Sequence, residues 1–137
     1  MKNSIFLKLV LAIDSLVAIA VGAMIQISPA DFYAMNHINI GTNLNLLSEI
    51  RAPAMALLSY GILILAGIFI PRLTFTATLL ASMFYLSYGV ARVVSMGIDG
   101  LPSESLITAA IIEIVLGLVS LFCLWKYILS PNLESQE

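Results

Sequence analysis

Residues 52–70 read APAMALLSYGILILAGIFI, a run without one charged side chain, and how it is read decides the fold. Crossing the hydrocarbon of a bilayer as a helix takes about 20 mostly apolar residues, and this run has that length. It is not alone. Ile5 to Ile27 is a similar stretch, interrupted by Lys8 near its start and by Asp14. Leu73 to Met96 is uncharged until Arg92, and Ser105 to about Leu129 carries Glu113 as its single acidic residue, with Lys126 near its end. The runs are continuous rather than alternating, and four strands do not close a barrel, so helices are the expected state. The first run exceeds the roughly 7–15 apolar residues of a signal-peptide core and contains Asp14, so it is read as an uncleaved helix.

Composition points the same way. The chain is 61% hydrophobic and 10% charged, against about 25% charged residues in soluble domains. Six basic and eight acidic side chains cannot cover a globule of this size, so lipid is the expected outer solvent. A net charge of −2 leaves no basic footprint for nucleic acid. Cys123 is the single cysteine and His37 the single histidine, which argues against an internal disulfide or a Cys/His metal cluster. No phosphate-binding loop, dinucleotide fingerprint or nucleophilic triad is visible, so no cofactor is expected and an enzyme is the minority reading.

The links set the topology. Pro71-Arg72 is too short to let the second and third spans be anything but antiparallel neighbours. Asp99-Gly100-Leu101-Pro102 is a turn signature, with Ser103 as N-cap of the last helix. In the long first connection, Ser28-Pro29-Ala30-Asp31 reads as N-cap, N1 proline and acidic first turn, which predicts a short interfacial helix to about His37. Asn36 to Asn45 reads as loop. The expectation is an all-α fold over residues 1–137 as one domain. It is a bundle of four antiparallel transmembrane helices at about 5–27, 49–70, 73–96 and 104–129, with the interfacial segment at about 29–37. Lys2, Lys8, Arg72 and Lys126 on one side against Arg51 and Arg92 on the other predict cytoplasmic termini, with Trp125 and Tyr127 in the inner interface.

Ionisable side chains within a membrane cost roughly 2.5–3.5 kcal/mol each on insertion scales, so their presence asks for a partner or a purpose. Glu49, Arg51, Arg92, Asp99, Glu104 and Glu113 all fall in the outer half of the antiparallel arrangement. At 1.5 Å per residue Arg92 lies about 6 Å down and Glu113 about 10 Å down, within the reach of an arginine. An ion pair between them is predicted, with Arg51 joining Glu49, Asp99 or Glu113. Two readings of the cluster stand side by side: charges that lock the register of the bundle, or a polar cavity that holds a head group. Tyr85 and Tyr88 share the helix face of Arg92 and are candidate pocket lining, although aromatic side chains at that spacing also serve as packing. Asp14, near mid-bilayer, is either a proton site or a residue hydrogen-bonded to a neighbouring helix. Small residues at Ser15, Ala18 and Gly22, and at Ala110, Gly117 and Ser120, form stripes suited to close packing within one chain or between copies.

Three elements in this order carry a resemblance: Asn45-Leu46-Leu47-Ser48-Glu49-Ile50-Arg51, then Ala91-Arg92-Val93-Val94-Ser95 leading to Asp99-Gly100-Leu101-Pro102, then Glu113. Together they resemble a bacterial four-helix membrane family known as a domain of unknown function, the 4345 family, and more distantly the DoxX-like group. The resemblance extends from the first helix to about Tyr127. It implies an inner-membrane protein with four helices and these charged positions as its signature, and it supplies no reaction. Where the family tends to carry a glycine pair after the arginine, this chain has Pro53 and Ala54 following Ala52.

The functional expectation is a non-enzymatic protein of the inner membrane that binds a small amphiphile, or a partner membrane protein, through the outer-facing charged cluster. The alternative is a small proton-coupled transporter using Asp14 and Glu113.

Overall fold

The computed structural model describes residues 4–129. Helix α1 spans Ile5–Ile27, α2 Pro29–Ala34, α3 Leu44–Phe69, α4 Thr74–Asp99 and α5 Glu104–Cys123. A single 3-10 turn, Pro71–Leu73, joins α3 to α4, and a π-helical turn, Leu124–Leu129, continues α5. Four of the helical segments are long and apolar enough to cross a membrane. The chain is an all-α bundle of four membrane-spanning helices with a short helix after the first. Leu16, Ile62, Met83 and Leu118 are among many large apolar side chains on its outside, the surface that hydrocarbon solvates. Two ends can be distinguished: a loop end, with α2 and the α4–α5 turn, and a termini end.

Several boundaries move relative to the sequence reading. Helix α3 begins at Leu44, well before Glu49, because Asn43 caps it: the Asn43 side-chain oxygen accepts from the backbone N–H of Asn45 at 3.0 Å and Leu46 at 3.3 Å. The last two residues of the asparagine-rich loop, Leu44 and Asn45, are thereby helix. Helix α4 runs past Met96 to Asp99 and stops at Gly100, whose φ of 99° a β-carbon would disfavour. Helix α2 ends at Ala34, and the chain turns through His37 at φ 61°. Ser103 stands at the N-cap position of α5 but makes no capping bond; its hydroxyl meets that of Ser105.

Packing follows from glycine. A β-carbon on Gly22 would stand 2.8 Å from the backbone nitrogen of Leu58, and one on Gly61 would stand 2.9 Å from that of Ile19. The backbones of α1 and α3 therefore touch at two crossings. In the same way Gly117 abuts Leu86, at 2.8 Å from its nitrogen, and Gly89 abuts Ile114, at 3.1 Å. Helices α1 with α3, and α4 with α5, are thus two close pairs, the geometry that small residues permit between helices in lipid.

The two pairs are copies of one design. The buried positions of α1 include Val10, Leu11, Asp14, Ser15, Ala18 and Gly22, and those of α4 are Ala77, Thr78, Ala81, Ser82, Tyr85 and Gly89, in step at a constant offset of 67 (10 to 77, 22 to 89). Ala54, Gly61, Ile64 and Gly67 of α3 correspond to Ala110, Gly117, Ser120 and Cys123 of α5 at an offset of 56 (54 to 110, 67 to 123). Even a local bond recurs: Ser15 donates to the carbonyl of Ala12 and Ser82 to that of Leu79, each three residues back. Both pairs run from the termini end to the loop end and back.

Candidate functional site

Between the two pairs, toward the loop end, lies a cavity of about 490 Å³, within the roughly 300–1,000 Å³ typical of small-molecule sites. Its walls are largely apolar. Val17, Val21 and Ile25 come from α1, Pro53 and Leu57 from α3, and Phe32 and Tyr33 of α2 stand at the loop end. On the α4 side Phe84, Tyr85 and Tyr88 form a continuous aromatic wall, with Phe84 5.4 Å from Tyr85 edge-on and 4.6 Å from Tyr88 between ring centroids. The sequence spacing of Tyr85 and Tyr88 pointed to this face; Phe84, next to Tyr85 and four residues before Tyr88, joins it.

Arg92 and Glu113 meet in the same wall. Arg92 Nε donates to Glu113 Oε2 at 2.7 Å and Nη2 donates to Oε1 at 3.1 Å, a two-point pair in which both carboxylate oxygens are engaged. The side chains are 31% and 15% exposed, so the pair faces open space rather than solid core. Because α4 extends to Asp99, Arg92 lies about 10 Å from the loop end of its helix, deeper than the sequence reading placed it.

The rest of the expected network does not assemble. Arg51 makes no ion pair: its Nη1 donates to the carbonyl of Gln26 at 2.9 Å, while Gln26 Nε2 donates to the carbonyl of Arg51 at 2.6 Å. The Gln26 carbonyl belongs to the last turn of α1, where no helical N–H follows to satisfy it. The end of α1 therefore claims the guanidinium ahead of any carboxylate. Asp99 accepts from Ser95 on its own helix, and Glu49 and Glu104 are exposed, without ionic partners among the described residues. Arg92–Glu113 is the one ion pair among the described residues. Pro53 stays within α3 and lines the cavity, at the cost of a helical donor to the carbonyl of Glu49.

Asp14 lies below the cavity, about 14 Å along α1 from Ile5. It is wholly buried. Ser120 of α5 donates to its Oδ2 at 2.6 Å, its Oδ1 has no partner, and Tyr85 donates from α4 to its backbone carbonyl at 2.5 Å. One residue of α1 thus ties both helices of the second pair. Glu113 is not brought into contact with it. The sequence grouped Ser120 with the small-residue stripe; its hydroxyl at a buried crossing was the available sign of a second role. At the loop end the Ser105 hydroxyl donates to Asn36 Oδ1 at 2.8 Å, fastening the loop over the cavity to α5. Among the described residues no cluster of three His, Cys, Asp or Glu could hold a metal.

Fold and site together define a multi-pass membrane protein of four helices, built from two like hairpins around a largely apolar cavity with a single ion pair. Residues 6–124 match the family described as a domain of unknown function, DUF4345, and the chain belongs to that family. No curated protein and no solved structure matches it.

Proposed function

We propose that this protein binds a small amphiphile without transforming it: an apolar body lies in the cavity and a head group meets Arg92 and Glu113. The observation that carries this reading is a partly buried two-point ion pair set in the wall of a largely apolar space. The repeat supports it. The positions equivalent to Arg92 and Glu113 in the first pair are Ile25 and Leu57, both buried. Since one pair closes on aliphatic side chains at these positions, the charges are not required by the packing design. Helix α2 and the loop fastened by Ser105 cover the cavity from the loop end. In this proposal the loop end faces outward from a bacterial inner membrane, with both termini cytoplasmic.

Extraction in a mild detergent followed by mass spectrometry of retained lipids tests the reading. A small amphiphile should accompany the wild-type protein and be absent from Ala109→Phe, which fills the cavity from α5. A stable protein recovered empty from native membranes, and staying empty when amphiphiles are added, refutes it. A second reading, a proton-coupled transporter using Asp14 and Glu113, draws on the unpartnered buried Oδ1 of Asp14. Reconstituted vesicles would then show a pH-driven flux abolished by Asp14→Asn; no such flux removes that reading. If the cluster instead docks a partner membrane protein, Arg92→Ala should weaken that complex and leave lipid retention unchanged.

A further inference from the structure

The amphiphile reading leaves the chemistry of the head group open, and the hydrogen-bonding state of the cavity narrows it. Glu113 takes the Nε and one Nη2 hydrogen of Arg92, so the guanidinium is charge-compensated, while Nη1 makes no bond. Tyr33, Tyr88 and Asn36 line the same cavity, and their hydroxyls and side-chain nitrogen likewise donate to nothing among the described residues. The space therefore offers several unused donors and no net charge.

A carboxylate or phosphate entering it would bring an uncompensated negative charge into a largely apolar enclosure, which is strongly unfavourable. An ammonium would likewise bring an uncompensated charge, because the Glu113 carboxylate is already neutralised by its two-point pair with Arg92. An uncharged head with ester, amide or ketone oxygens satisfies the donors without disturbing the pair. Resting on the amphiphile reading, we propose that the ligand is a single-chain amphiphile with an uncharged, acceptor-rich head, its carbonyl oxygen facing Arg92 Nη1 and Tyr88 and its chain running along Phe84 toward Val17.

The test compares two probes with the same chain and different heads, monoolein and oleate, by native mass spectrometry of the detergent-solubilised full chain at pH 8. Monoolein should be retained about tenfold more strongly than oleate, the ratio expected when only one head must carry charge into the enclosure. Ala109→Phe should remove both adducts. Glu113→Gln keeps the side-chain shape and frees the charge of Arg92, so its preference should reverse toward oleate. Equal retention of the two probes by the wild type, or retention of oleate above monoolein, overturns the head-group assignment while leaving amphiphile binding intact. Absence of both adducts refutes amphiphile binding itself, and adducts undiminished in Ala109→Phe refute both by placing the chain outside the cavity. The wild-type comparison is decisive even if Glu113→Gln fails to fold.

Discussion

Removing one member of the Arg92–Glu113 pair should cost more than removing both. Arg92→Met keeps an unbranched apolar stem and leaves the carboxylate of Glu113, 15% exposed, without its donors. Glu113→Leu leaves the guanidinium, 31% exposed, facing an apolar wall. For fully buried pairs such truncations cost about 3–5 kcal/mol, and for exposed pairs about 0–1 kcal/mol. The intermediate exposure here, Glu113 being the more enclosed, places Arg92→Met at about 2–3 kcal/mol and Glu113→Leu at about 1–2 kcal/mol. The double variant restores the kind of aliphatic contact that Ile25 and Leu57 supply in the first pair, and it should lie within about 1 kcal/mol of wild type. The corresponding coupling, about 2–6 kcal/mol, is well above the scatter of independent sites. Reversible unfolding in mixed micelles as the fraction of denaturing detergent rises would measure all four proteins. A double variant as unstable as Arg92→Met alone would show that the charges hold the bundle in register and would refute the argument from the repeat, whereas additive single effects would show that the two side chains act independently.

Further expectations follow from the same contacts. Gly117→Ala drives a β-carbon against the backbone of Leu86 and should destabilise by about 1–3 kcal/mol. Gly97→Ala meets nothing within 4 Å and should be neutral or stabilising by up to about 1 kcal/mol; detergent unfolding that ranks these two in the opposite order rejects the packing scheme. Ser120→Ala leaves both carboxyl oxygens of a fully buried Asp14 without donors and should lower stability by about 1–3 kcal/mol, with Ser120→Thr recovering most of it. Gln26→Ala breaks an exposed side-chain bond across the loop end, so its cost should be about 1 kcal/mol or less in thermal melts.

Where the sequence could be read, it was because one physical force dominated. The four spans are legible because hydrocarbon admits backbone only with its hydrogen bonds closed, and the charge-free run 52–70 leaves few alternatives. Arg92 and Glu113 could be paired in advance because a short turn makes α4 and α5 neighbours and helical rise fixes their depths. Arg51 is ambiguous in sequence because two acceptors compete for it, a carboxylate and the open carbonyl of Gln26. Which one wins depends on where α1 stops against α3, and no local signal sets that register. The start of α3 is not legible in sequence because asparagine serves equally as a loop residue and a helix cap, and only the side-chain bonds of Asn43 decide between them. The repeat is hard to see in sequence because its halves share spacing more than identity: Gly22 with Gly89, Ser15 with Ser82, Ala54 with Ala110 and Gly61 with Gly117 are plain matches, while Tyr85 stands where the first pair has Ala18.

That mismatch between shared packing and unshared chemistry bears on where function sits. The side-chain contacts of the site fall at positions whose counterparts are apolar: Asp14 against Ala81, Tyr85 against Ala18, Arg92 against Ile25, Glu113 against Leu57, Ser120 against Ile64. A bundle that needed these groups for assembly would need them in both halves, because both halves solve the same packing problem with the same glycine crossings. The first pair solves it without counterparts of Tyr85, Arg92, Glu113 and Ser120, and the second without a counterpart of Asp14. The polar groups also join different helices, Ser120 and Tyr85 crossing to Asp14 and Arg92 crossing to Glu113, so that α1, α4 and α5 are tied around one side of the cavity while α3 presents Pro53 and Leu57. The cavity is therefore two-faced, a polar and aromatic wall opposite an aliphatic one, and under the amphiphile proposal the head group meets the first wall and the chain the second.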